Sequence, residues 1–151
     1  MEFSIETLKR KLKEIENDPL LGKFVRQQYE IQKLMLTIIF YSIAKSNYKN
    51  LKWLKQNEKF FKKLSSSTLG KLIEIFPNYK LGDEKDMIKK LQEYNERRNN
   101  LIHHQDRIIL QIAEPYKEIE NEKQYLEETL KLGEEIKTDL FEFLKIIFKN
   151  Q

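Results

Sequence analysis

The stretch Leu126–Ile147, LEETLKLGEEIKTDLFEFLKII, decides the fold. Leu126, Leu130, Gly133, Ile136, Leu140, Leu144 and Ile147 recur at three- and four-residue spacing, which is the period of one helix face. The pattern predicts a last helix from about Tyr116 to Phe148, acidic on its outside over the first two-thirds. An apolar stripe of that length must be covered, so other helices with matching stripes are required.

Upstream the same period returns. Ile5, Leu8, Leu12 and Ile15 form one apolar face of a first helix, about Ser4 to Asn17, stopped at Asp18-Pro19. A second helix runs from about Leu21 to Ser46. Its run LMLTIIFYSIA, Leu34 to Ala44, is eleven residues long, too short for the roughly 20 that a bilayer demands, so it reads as a helix of the core. Asn47 to Asn50 breaks the chain. A third helix covers about Leu51 to Leu64, with Trp53, Leu54, Phe60, Phe61 and Leu64 expected inward. Ser65 to Thr68 supplies an N-cap for a short helix, Leu69 to Phe76, which ends at Pro77. Gly82-Asp83 starts the next, with Asp83 as cap and Met87, Ile88, Leu91, Tyr94, Leu101 and Ile102 on its apolar side. That helix extends to about Gln111, before Glu114-Pro115. No stretch alternates with period two. The expectation is an all-α fold over residues 1–151: one domain, a single bundle of four long helices plus one or two short ones.

Composition agrees. The chain has 151 residues, enough for one core, with 40% hydrophobic and 34% charged residues, which excludes disorder on compositional grounds. Four Gly and three Pro are too few for the many turns of a β-rich fold. With no Cys and only His103 and His104, thiolate chemistry and a three-His zinc site are both excluded. No metal site and no cofactor is expected. The first eighteen residues, MEFSIETLKRKLKEIEND, lack the apolar core of a signal peptide, so a cytoplasmic protein without a membrane anchor is expected.

Net charge is +4 but uneven: residues 1–76 carry +7 and residues 77–151 carry −3. From Lys45 to Lys63 there are seven Lys against Glu58 alone. Lys52, Lys55, Lys59, Lys62 and Lys63 form a stripe at helical spacing, either a solvated face or a surface for nucleic acid.

Motifs for nucleotide loops, zinc proteases, serine hydrolases and EF-hands are absent. One segment stands out, Glu96 to Gln105, ERRNNLIHHQ, which holds both His and two of the five Arg. Asn99 and Asn100 in mid-helix run against helix propensity, a violation expected more at functional sites than elsewhere.

Arg98-Asn99-Asn100-Leu101-Ile102-His103 resembles the RNxxxH form of the HEPN signature, and Thr68 to Ile73, TLGKLI, resembles a segment that precedes the Arg-Asn helix in many bacterial members. The resemblance covers about Leu21 to the C-terminus. Active members are metal-independent ribonucleases, so the resemblance implies an endoribonuclease of toxin or abortive-infection type, working as a homodimer with a shared site and opposed by an antitoxin protein. Where some of these toxins carry a modifiable Tyr two residues after the His, this chain has Gln105, so that mode of control is not carried over.

The chemistry suits these residue types. RNA carries a 2′-hydroxyl beside each phosphate. An imidazole can take that proton at neutral pH, and a guanidinium can hold two phosphoryl oxygens. On this reading His103 is acid or base, Arg98 stabilises charge, and Asn99 holds the His or a phosphate oxygen. Arg97 and His104 assist, and Arg107 adds a phosphate contact. Arg98 and His103, five apart, differ by about 140° around a helix and do not share a face, whereas Asn99 and His103 do. Two such helices crossing at a two-fold axis would bring Arg98 of one chain to His103 of the other. Two other readings stand beside this one: an inactive HEPN-like module for nucleotide or RNA binding or for dimerisation, and a ligand-free helical scaffold. In those, Arg98 pairs with a carboxylate such as Glu93 and His103 is a structural histidine.

Overall fold

A computed structural model of the chain describes residues 4–44, 47, 49–78, 85–110 and 119–149, the side chains at 78 and 107–110 excepted. The fold is all-α, with no strand among the described residues. In chain order the helices are α1 (Ile5–Glu16), α2 (Pro19–Ala44), α3 (Leu51–Gln56), α4 (Glu58–Ser65), α5 (Leu69–Ile75), α6 (Lys85–Leu110) and α7 (Glu122–Lys149). A 3₁₀ turn, Phe76–Asn78, follows α5.

Local chemistry sets most of the boundaries. Ser4, Asn50 and Thr68 cap α1, α3 and α5 by accepting from the backbone N–H of Thr7, Trp53 and Lys71. The Asp18 carboxylate accepts from Leu20 N at 2.9 Å and Leu21 N at 3.3 Å, with Pro19 at the first helical position, where its missing N–H costs nothing. Asn121 accepts from Gln124 N at 3.1 Å, and this cap starts α7 at Glu122, with residues 119–121 outside the helix instead of within one beginning at Tyr116. The expected caps at Gly82-Asp83 and the break at Glu114-Pro115 lie outside the described residues.

A second departure is the expected single helix Leu51 to Leu64. It divides at Asn57, whose amide donates to Trp53 O at 2.8 Å and takes up a carbonyl at the end of α3. Within α4 Phe61 and Leu64 turn inward while Phe60, also expected inward, is 41% exposed. On α1 the expected apolar face is only half covered: no α1 residue is buried, and Ile5 and Leu12 are exposed. Ile102, expected inward, is also exposed.

The most extensive packing is α2 on α7, followed by α6 on α7. Gln27 meets Leu130, Glu30 pairs with Lys137, and Tyr41 stacks near Phe148 at 5.0 Å, so α2 and α7 run in the same sense. Helix α6 runs opposite to both: Lys90 pairs with Asp139, while Asn100 reaches Tyr125. Between them Ile31, Met35, Ile38, Ile39, Leu91, Leu101, Leu126, Ile136 and Leu140 form the buried core, closed by Leu69 and Leu72 of α5. No described helix is long and apolar enough to cross a membrane.

One polar contact lies inside this core. The Gln27 carboxamide lies over Gly133, donates to Leu130 O at 2.7 Å and Glu134 Oε1 at 3.1 Å, and accepts from Tyr94 Oη at 3.0 Å. A Cβ built on Gly133 would fall well inside van der Waals distance of that carboxamide. Gly133→Ala is therefore expected to destabilise by about 2–4 kcal/mol, as an overpacking change that also unseats a buried amide. Gly22 has nothing within 4 Å of its Cβ position among the described residues, so Gly22→Ala in α2 should stabilise by up to about 1 kcal/mol. Urea denaturation of the two variants checks the pair.

Burial raises the Tyr94 hydroxyl above its ordinary pKa of 10.0, with the Arg98 charge opposing the rise. The folded protein holds this phenol neutral, so its contribution to stability is intact below about pH 10 and lost as pH climbs above that, where unfolded tyrosine ionises. Tyr94→Phe should cost about 1–2 kcal/mol at neutral pH and show a smaller further loss near pH 11 than wild type, both read by denaturant melts.

Candidate functional site

The face of α6 that turns away from the core is unusually rich in amides. Gln92, Asn95, Glu96, Asn99, Asn100 and His103 step along it at three- and one-residue intervals and line an open groove of about 450 Å³, with Ile73 of α5 among its walls. Leu91, Tyr94 and Leu101 occupy the opposite, buried face. A single amphipathic helix thus packs with one side and offers polar groups with the other.

Within the groove Asn100 donates to Tyr125 Oη at 3.1 Å. Asn95 sits against Gly70 of α5, where a Cβ would be 3.5 Å from its amide nitrogen, and its Oδ1 is buried without a hydrogen-bond partner among the described residues. Gly70 belongs to the TLGKLI segment, so that segment forms the wall beside α6. His103 is half-buried in the groove, and Asn99 shares its face, as four-residue spacing requires.

Arg98 points elsewhere. Its Nε donates to Gln28 Oε1 of α2, and its Nη1 donates to Asn99 Oδ1 at 3.3 Å. Its guanidinium thus links α2 to a residue of the groove wall, of which Arg98 itself is not part. Helix α6 therefore brings Asn99 to both Arg98 and His103 and does not set Arg98 and His103 on one face.

Arg97 and His104 are both engaged by α7. Arg97 donates to Thr129 Oγ1 at 2.8 Å, Tyr125 O at 2.9 Å and Glu128 Oε2 at 3.1 Å, and its guanidinium lies 4.0 Å from the Tyr125 ring centroid. His104 is 9% exposed, with Nε2 3.2 Å from Glu122 Oε2, while Gln105 donates to the other oxygen of Glu122. The His104 Nδ1 is buried without a hydrogen-bond partner among the described residues. The Arg107 side chain lies outside those described. Among the described residues, no three His, Cys, Asp or Glu side chains group so as to hold a metal ion.

Lys52, Lys55, Lys59, Lys62 and Lys63 are exposed on α3 and α4, where Lys62 pairs with Glu58 at 2.9 Å. These helices pack through Phe61 on Phe40, near the C-terminal end of α2, whereas Arg98 meets α2 at Gln28. The lysines and the His103 groove are therefore separated along the molecule.

The groove residues Gln92, Asn95 and Glu96 lay within reach of sequence reasoning, because counting back from His103 by threes and fours lands on them. Gln28, seventy residues from Arg98, carried no such signal.

The two adjacent arginines should respond differently to truncation. Arg97→Ala removes four contacts to α7 and is expected to cost about 1–3 kcal/mol of stability. Arg98→Ala should cost less than about 1 kcal/mol, since the lost partners keep access to water. Thermal melts of both variants, run beside the activity assays below, separate a structural arginine from a functional one.

Compared with family models, with curated proteins and with solved structures, the chain matches none.

Proposed function

We propose that this chain is a metal-independent endoribonuclease of the HEPN type, cytoplasmic and toxin-like, held in check by an antitoxin protein. The observation that carries the reading is the placement of Asn99 and His103 in one open groove, with Asn99 also bonded to the Arg98 guanidinium. His103 takes the proton of a 2′-hydroxyl, and the 2′-oxygen bonds to the adjacent phosphorus. The bond from phosphorus to the 5′-oxygen breaks, and that oxygen leaves with a proton. The products are a 2′,3′-cyclic phosphate and a 5′-hydroxyl. Arg98 stabilises the charge gathered on the phosphoryl oxygens, where an oriented guanidinium is most effective.

The site is completed by a second copy. One helix cannot aim Arg98 and His103 at the same phosphate, and Ile102 between them is 38% exposed, apolar and uncovered. Crossing two α6 helices near Ile102 covers that side chain and sets Arg98 of each protomer toward His103 of the other. A second reading, a nucleotide-binding module without catalysis, draws on the amides of Gln92, Asn95, Asn99 and Asn100, which suit base edges as well as phosphates.

The test is RNA cleavage in excess EDTA. Wild type should cut and leave 2′,3′-cyclic phosphate ends, while His103→Ala and Arg98→Ala each lose about 10²–10⁴-fold. Mixing those two inactive variants should restore part of the activity, since a mixed dimer with a shared site keeps one intact Arg98–His103 pair. Equal cutting by wild type and His103→Ala overturns the reading. Binding without cutting moves it to the nucleotide-binding module.

A further inference from the structure

Away from the His103 groove, aromatic rings and exposed lysines occur together on α3 and α4. Phe61 sits at the hub, with ring centroids 5.0 Å from Phe40, 5.8 Å from Trp53 and 5.6 Å from Phe60. Phe60 is the outermost of these rings, 41% exposed, while Phe61 is half-buried. Lys63 follows it by three positions on α4 and shares its side of the helix. Lys52 and Lys55 of α3 and Lys59 of α4 are exposed as well, and none of these four pairs with a carboxylate among the described residues, since Glu58 is taken by Lys62.

We infer that α3 and α4 form a stacking platform for single-stranded RNA, separate from the groove and feeding it. A ring held edge-on by other rings is rigid, and stacking a base on it costs little side-chain freedom. Surrounding lysines supply phosphate contacts that do not depend on sequence. A membrane surface fits less well. Interfacial helices are commonly far longer than the six and eight residues of α3 and α4, and Phe60 and Leu51 are the only exposed large apolar side chains of these two helices.

Position along the helices gives the length of strand. Phe40 lies twelve residues beyond Gln28 on α2, about 18 Å at the helical rise. His103 lies five residues past Arg98 in the opposite direction along α6, which adds about 7 Å. About 25 Å separates the two levels, roughly seven nucleotides at a stacked rise of about 3.4 Å. Duplex RNA buries its base faces and cannot use the platform. The choice of RNA over DNA rests on the ribonuclease reading above.

Trp53 is the chain's single tryptophan and packs within the cluster, so its fluorescence reports on the platform alone. The experiment titrates the His103→Ala protein with a twelve-nucleotide single-stranded RNA, the matching duplex, the matching single-stranded DNA, and vesicles of phosphatidylcholine with phosphatidylglycerol. Saturable quenching by single-stranded RNA, at least tenfold weaker with duplex, is expected. Phe60→Ala should weaken binding about tenfold or more. Changing Lys52, Lys55, Lys59 and Lys63 together to Gln should make the salt dependence shallower by about 3 in log–log slope. Quenching without cleavage by wild type keeps the platform and removes the ribonuclease reading. Wild-type cleavage untouched by the four-lysine variant keeps the ribonuclease and overturns the platform. The platform is also overturned by absence of quenching, by equal binding of duplex, by tighter binding of the DNA than of the RNA, or by vesicle binding where RNA does not bind.

Discussion

Gln27 sits where α2, α6 and α7 meet, and the arrangement of the three long helices depends on it. A carboxamide offers two donors and one acceptor oxygen, and all three groups are used here, by Leu130 O, Glu134 and the Tyr94 hydroxyl. Leu130 O can only accept, so the orientation of the amide is decided by its surroundings. The side chain fits only because residue 133 is glycine. A buried amide left without partners costs about 1–3 kcal/mol, so sliding α2 along α7 by one turn carries a penalty that apolar packing alone would not impose. Apolar stripes drive the helices together, and this polar contact selects the register.

That register carries through to the candidate site. With Tyr94 held against Gln27, the rotation of α6 is set. Arg97 then falls onto α7 and Arg98 onto α2, one on each flank, while the amide face with Asn99 and His103 is left toward α5 and the exterior. His104 cannot join His103 there, because the next position in the helix turns it under α7 to Glu122. Two neighbouring histidines, alike in the sequence, thus have opposite environments: one lines an open groove, the other is nearly enclosed.

Charge follows the same division of labour. Seven of the lysines of the basic half fall between Lys45 and Lys63, most of them on α3 and α4, where Phe60 is 41% exposed. The acidic exterior of α7 instead meets cations of other helices: Lys90 at Asp139, Arg97 at Glu128. Exposed pairs of this type add little stability, and Lys52, Lys55, Lys59 and Lys63 of α3 and α4 have no carboxylate partner among the described residues.

The sequence by itself marked most of the helices, because their signals are local, and missed the break at Asn57 and the start of α7 at Glu122. Three- and four-residue apolar spacing marks Leu126 to Ile147, capping residues Ser4, Asn50 and Thr68 act within one turn, and Pro19 bars the helix before it. It also showed that Asn99 and His103 share a face and that Arg98 does not, since helix geometry alone requires it. What the local pattern could not show was which apolar residues would be covered. Ile102 and Phe60 have core-like spacing yet stay exposed, and the α1 stripe is only half covered, because burial depends on what the rest of the chain places opposite. Nor could it tell Arg97 from Arg98 or His103 from His104. Those distinctions arise from Gln28, Tyr125, Thr129 and Glu122, between 18 and 70 residues away in the chain, and only the packing of α2, α6 and α7 brings them within reach.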